Sequence, residues 1–163
     1  MKSLVVFYSL EGHTKFIANL IAGELKCDLL ELQPQKEIPK TGFRKFFWGG
    51  KSAIFKEKPS LKNKIPNLEQ YDTIFIGTPI WAGTYAPPIN TFISDNEIKQ
   101  KNIAFFASHG GGGAKKCFMK LQDVLKDNNI VGAIDFVDPK NDDEEKKSEI
   151  KKWINDVIIP KLN

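Results

Sequence analysis

Runs of apolar residues alternate along the chain with stretches whose apolar positions recur at helical spacing. Ser3-Leu4-Val5-Val6-Phe7-Tyr8 is an unbroken apolar, β-rich run. It has the pattern of a strand buried on both faces of a parallel sheet. Phe16, Ile17, Leu20, Ile21 and Leu25 follow at helical spacing and predict a helix from about His13 to Lys26. Leu29 to Leu32 reads as a second short strand, which completes a βαβ unit. A third strand is predicted at Thr73 to Gly77, a fourth at Ile103 to Ala107 and a fifth at Val131 to Val137. Between them the pattern predicts helices at about Pro87 to Ser94 and Ala114 to Lys126, the latter with Phe118, Leu121, Val124 and Leu125 on one side. A last helix, Asp142 to Leu162, turns Ile150, Trp153, Ile154, Val157 and Ile158 inward. From Gln33 to Gln70 the rhythm breaks at Pro34, Pro39, Pro59 and Pro66. Inside that stretch, Gly42 to Phe55 predicts a helix interrupted near Gly49-Gly50.

Five strands alternating with helices predict one α/β domain over residues 1–163, a three-layer sandwich with a parallel sheet covered on both faces. Right-handed crossovers leave few topologies, and 2-1-3-4-5 is one of the two common doubly wound orders. Ligands on such sheets bind beyond the carboxyl ends of the strands, where the strand order reverses. The segments after strands 1, 3 and 4 therefore carry the functional reading.

Composition narrows the class. Of the 163 residues, 41% are hydrophobic and 27% charged, an ordinary globular balance. No run approaches the ~18 apolar residues of a membrane span. The apolar opening is too short for a signal-peptide core. Cys27 and Cys117 are too few for a disulfide framework. A cytoplasmic protein is expected. The net charge of +4 is unevenly spread. Lys36 to Lys64 holds nine basic residues against two acidic ones, a local +7 that leaves −3 for the rest of the chain.

Three segments carry candidate chemistry. Ser9-Leu10-Glu11-Gly12-His13-Thr14 leads directly into a helix. Its N–H groups and hydroxyls suit an anion such as phosphate, though a plain helix cap by Ser9 or Thr14 would use the same residues. Thr78-Pro79-Ile80-Trp81-Ala82-Gly83 follows strand 3, and Trp81 is either a stacking face for a planar ring or a lid on the core. Ser108-His109-Gly110-Gly111-Gly112-Gly113 follows strand 4, and its glycines either let backbone approach a ligand edge or form a flexible tip. All three meet at one edge of the inferred sheet, a coincidence stronger than any one of them.

Tyr8-Ser9-Leu10-Glu11-Gly12-His13-Thr14 resembles the phosphate-binding loop of flavodoxins. Gly77-Thr78-Pro79-Ile80-Trp81-Ala82-Gly83 is similar to their ring-contacting loop, and Ser108 to Gly112 to their third loop. The resemblance spans essentially the whole chain and implies a flavodoxin-like fold of the short-chain form with one bound FMN. It assigns the phosphate to Ser9, Leu10, Glu11, Gly12, His13 and Thr14, with Glu11 acting through its backbone N–H because its carboxylate would repel a dianion. It assigns the isoalloxazine to Thr78, Pro79, Ile80, Trp81, Ala82 and Gly83, and the pyrimidine edge to Ser108, His109, Gly110, Gly111 and Gly112. The third loop lacks the second aromatic that many family members stack on the flavin, and His109 or Trp48 is the candidate replacement. Gly83 is the candidate flexible peptide beside the flavin N5.

Other uses of the same topology fit less well. A response regulator needs carboxylates where this chain has Ser9 and Thr78. A small phosphatase needs a Cys and an Arg around the first loop. There is no Gly-x-Ser-x-Gly nucleophile elbow, no phosphate-loop spacing after the glycine run, and no second ligand at metal spacing from either histidine. Cys117 reads as a small buried hydrophobe. The resemblance therefore implies a redox protein passing electrons between a reductase and an acceptor, either a partner protein or a small molecule. An NAD(P)H-dependent FMN or quinone reductase is the alternative, with the basic aromatic stretch around Phe43, Arg44, Lys45, Phe46, Phe47, Trp48 and Lys51 beside the flavin. A non-catalytic flavin-binding module is the third reading. Neither nucleic acid nor membrane is expected as a partner.

Overall fold

In the computed structural model, which describes residues 2–36, 57–140 and 143–162, strand β1 (Ser3–Phe7) lies inside the sheet, next to its edge strand. It pairs in parallel with β2 (Asp28–Glu31) on one side and β3 (Thr73–Trp81) on the other. Beyond β3 come β5 (Asn102–His109) and β6 (Asn129–Val137), both parallel. A two-residue strand, β4 (Thr84–Tyr85), folds back antiparallel on the end of β3. The order β2-β1-β3-β5-β6 is the predicted doubly wound one with a short sixth strand added. Among the described residues, no helix is long and apolar enough to cross a membrane.

The period-two pleat of β1 shows why its run is apolar throughout. Leu4, Val6 and Tyr8 enter the core on one face, and Val5 and Phe7 enter the core on the other. The first core is closed by α2 (Pro87–Asp95) and α3 (Ala114–Val124) through Ile89, Phe92, Cys117 and Leu121. The second is closed by α1 (His13–Leu25) and α4 (Glu144–Trp153) through Ile17, Ile21, Ile150 and Trp153. This is the three-layer arrangement expected of the pattern.

Three strands run further than their apolar runs. β3 continues from Gly77 through Pro79 and Trp81, where a loop was expected, because Trp81 pairs with Thr84 across a two-residue turn. Ala82 and Gly83 both have positive φ, 50° and 68°. That is the backbone of a tight hairpin turn whose twist matches its strands. β5 takes in Ser108 and His109, in register with Phe136 and Val137 of β6. β6 starts early, at Asn129, and carries a register break against Ile103/Ala104. The last helix leaves α geometry at Ile154–Ile158, a π-helical stretch, before a final turn at Ile159–Leu162. The helix expected within Gly42 to Phe55 lies outside the described residues, as do Trp48 and most of the basic segment.

Candidate functional site

The three candidate loops meet at the carboxyl ends of β1, β3 and β5, and short contacts tie each to the next. The first runs into α1. Ser9 accepts hydrogen bonds at Oγ from the N–H of Gly12, 3.1 Å, and of Lys15, 3.2 Å. One hydroxyl thus folds the loop over and satisfies a donor of the helix's first turn. Gly12 precedes the helix at φ 97°, and nothing lies within 4 Å of the place where a Cβ would stand. The N–H groups of His13 and Thr14 head α1, where no intrahelical partner exists and the helix dipole is positive. An open concavity of about 480 Å³ lies beside the loop, lined by Ser9, Leu10, Glu11, Gly12, Lys15 and Glu31. Lys15 Nζ is bonded there to Glu31 at 2.7 Å. The loop and the head of α1 make a backbone cradle that suits a phosphate group.

Thr14 and Ser108 face each other rather than the surface. Their hydroxyls are 2.8 Å apart and buried, a bond that joins the first loop to the third. Thr78 is also engaged below the surface. Its Oγ1 donates to Pro79 O and accepts from Ala86 N–H, both at 2.9 Å, and so fastens the base of the β3–β4 hairpin. These three side chains build the walls of the site. His13 donates from Nδ1 to the carbonyl of Pro139, 2.7 Å away, which leaves Nε2 as its other ring nitrogen.

The hairpin holds Trp81 half-buried against the core, with the ring of Tyr8 edge-on at 5.9 Å and 84°. Its tip rests on the third loop. A Cβ on Gly113 would come within 3.1 Å of Gly83 Cα and 3.2 Å of Ile80 Cγ2, so only glycine permits this approach. The stem of Lys116, in the first turn of α3, crosses Gly83.

In the third loop Gly111 and Gly112 have open space where a side chain would stand. The ring of His109 is not open. Its side chain is only 6% exposed, with Nε2 2.8 Å from Asp135 Oδ2. Nδ1 accepts from Gly112 N–H at 2.8 Å and Gly111 N–H at 3.2 Å. His109 therefore offers no ring face for stacking, and Trp48, the other candidate, lies outside the described residues. Cys117 sits on α3 behind the site, where burial pushes its thiol up to about 12 and makes it inert as a nucleophile. Among the described residues no group of three or more His, Cys, Asp or Glu side chains is placed to hold a metal.

Sequence reasoning missed Asp135, Asp138 and Pro139. Asp135 lies near the carboxyl end of β6, and Asp138 and Pro139 follow that end, beside the loop after β5; that adjacency is the signal that pointed to them. Tyr8 belongs here as well, as the brace of Trp81.

The family model described as Flavodoxin matches residues 2–157. A solved structure described as a flavoprotein from Bacteroides uniformis ATCC 8492 is 26% identical, with a TM-score of 0.78 over 94% of this chain and 97% of that one. A flavoprotein from Lactobacillus acidophilus NCFM, crystallised in complex with FMN, is 25% identical, with a TM-score of 0.74 over 93% of this chain and 97% of its own. A flavodoxin, WrbA-like protein from Agrobacterium tumefaciens is 13% identical, with a TM-score of 0.62 over 96% of this chain and 94% of its own. At that identity the likeness concerns the fold alone.

Proposed function

The chain belongs to the flavodoxin family, and from that premise we propose that it holds one FMN across the ends of β1, β3 and β5 and passes electrons between a reductase and an acceptor. The observation that carries this reading is the convergence of three loops into one cradle, tied by the Thr14–Ser108 bond and by the contact of Gly113 with Gly83. When bound, FMN supplies the redox chemistry.

The residues divide the remaining work. The N–H groups at the head of α1 and the turn through Gly12 hold the phosphate, with Glu11 contributing its backbone N–H. Ser9 keeps that loop folded. Trp81, braced by Tyr8, gives the ring system an apolar surface. The Ala82-Gly83 turn presents peptide groups to the flavin edge. The loop Gly110 to Gly112 receives the pyrimidine end on backbone alone. The buried hydroxyls of Thr14, Thr78 and Ser108 fix these pieces relative to one another, which limits reorganisation around the cofactor. On this reading the protein works in the cytoplasm, and the lysine-rich segment Lys36 to Lys64 meets an acidic partner.

One observation favours a second reading, an NAD(P)H-dependent FMN or quinone reductase. The third loop offers glycine rather than an aromatic face, and the His109 ring is turned away. A second substrate would then have room beside the flavin. Oxidation of NADPH or NADH by the FMN-loaded protein with a quinone acceptor tests the difference. The carrier reading predicts turnover only when a separate reductase is supplied. Steady turnover by the protein alone replaces it with the reductase reading.

A further inference from the structure

The glycine run after β5 would be floppy if glycine alone set its shape, since Gly111, Gly112 and Gly113 take φ values of 159°, 140° and 91°. One imidazole holds it instead. Two backbone N–H groups point at Nδ1 of His109, so that nitrogen must be the unprotonated one. The proton is then on Nε2, which donates to Asp135 at 2.8 Å. The ring is a neutral tautomer fixed from both sides.

We propose that His109 is a positioning residue, an imidazole clasp whose neutral form shapes the glycine loop for FMN and whose protonation releases that loop, making FMN affinity pH-dependent. The proposal rests on the FMN reading above. An imidazolium carries N–H on both nitrogens. Its Nδ1–H would face the N–H groups of Gly111 and Gly112, replacing two attractions with two repulsions, so the loop must open. Asp135 sets the tautomer that makes the clasp. The other charged groups nearby are Asp138, whose carboxylate approaches Gly110, Lys115 and Lys116 at the start of α3, and His13 at the head of α1, held to Pro139 O.

The chain has two histidines, so His109→Gln leaves His13 as the single imidazole. In the native chain, FMN affinity is measured by flavin fluorescence quenching from pH 8 to pH 5. The clasp predicts a fall of about tenfold, the scale of two lost hydrogen bonds. Asp135→Asn keeps an acceptor for Nε2–H, so the clasp and the FMN affinity at pH 8 should be retained. His109→Gln removes the clasp imidazole and flattens the profile over the same range. In FMN-free protein, the Gly111 and Gly112 amide resonances should titrate together with the His109 ring. This last readout tests the clasp independently of cofactor binding. Glycine amides that ignore the imidazole, or a pH profile that survives His109→Gln unchanged, would overturn the proposal. Absence of FMN binding at every pH, with the amides still titrating, would instead remove the FMN reading and leave the clasp standing.

Discussion

Gly77 sits in the middle of β3, directly opposite Phe106 of β5. A Cβ built on Gly77 would lie 2.1 Å from Phe106 Cζ, 2.2 Å from Cε2 and 2.8 Å from Cε1. Ordinary contact begins near 3.4 Å. The ring would therefore have to move by more than an ångström, and it is fully buried with Phe7 and Phe75 among its neighbours in the core. Interiors are close-packed, so this displacement is not absorbed locally. Overpacking of this kind costs roughly 1–3 kcal/mol, occasionally more, and the severity of the overlap puts Gly77→Ala at about 3 kcal/mol. With an m-value of about 2 kcal/mol/M in urea, the unfolding midpoint should fall by about 1.5 M. Phe106→Leu removes the overlapping ring atoms. Alone it should destabilise by leaving a void, but combined with Gly77→Ala it should give a protein at least about 1 kcal/mol more stable than the sum of the two single effects. A Gly77→Ala midpoint within error of wild type, or strictly additive changes in the double variant, would refute the packing argument.

Three further outcomes follow from the same structure. The Tyr71 hydroxyl donates to Asp28 at 2.7 Å, and that bond, with Lys2 beside it, holds the Asp28 carboxyl below its ordinary value. A depressed carboxyl stabilises the fold above the unfolded value, about 4, and loses that contribution as pH falls through the folded value. The stability gap between wild type and Tyr71→Phe, followed by urea unfolding from pH 6 to pH 2, should therefore narrow toward the acid end; a constant gap contradicts the linkage. Burial pushes the Cys27 thiol up to about 11 and Cys117 to about 12, so at pH 8 alkylating reagents should label Cys117 only after unfolding and Cys27 slowly, as read by mass spectrometry; rapid native labelling of Cys117 would show that α3 opens. Gly83→Val forces a β-branched residue into φ 68° against Lys116, which should displace the hairpin tip and shift the potentials of bound FMN measured by spectroelectrochemistry; unchanged potentials would remove Gly83 from the flavin edge.

The strand count, order and layering were legible because parallel strands buried on both faces leave continuous apolar runs, and the helices between them keep their own period. The three loops were legible as a group because that order brings them to one edge. Strand ends were not. Pro79, Ser108 and His109 are poor strand formers that the parallel ladder carries along once their neighbours are paired. The β3–β4 hairpin was hidden because Ala82 stands at a positive φ where Asn or Gly would have announced the turn. Side-chain direction was the other gap. Thr14 and Ser108 looked like two separate ligand contacts, and their pairing depends on a distance between segments 94 residues apart. The same holds for His109, whose inward turn depends on Asp135, a residue on a neighbouring strand.

The central claim is that three backbone-rich loops form one FMN cradle. Titrating FMN into the flavin-free protein tests it most directly, with flavin fluorescence and the stoichiometry as readouts. The account predicts quenching that saturates at one FMN per chain and a yellow complex that releases FMN on denaturation. Undiminished fluorescence, with the protein folded by circular dichroism, would contradict it.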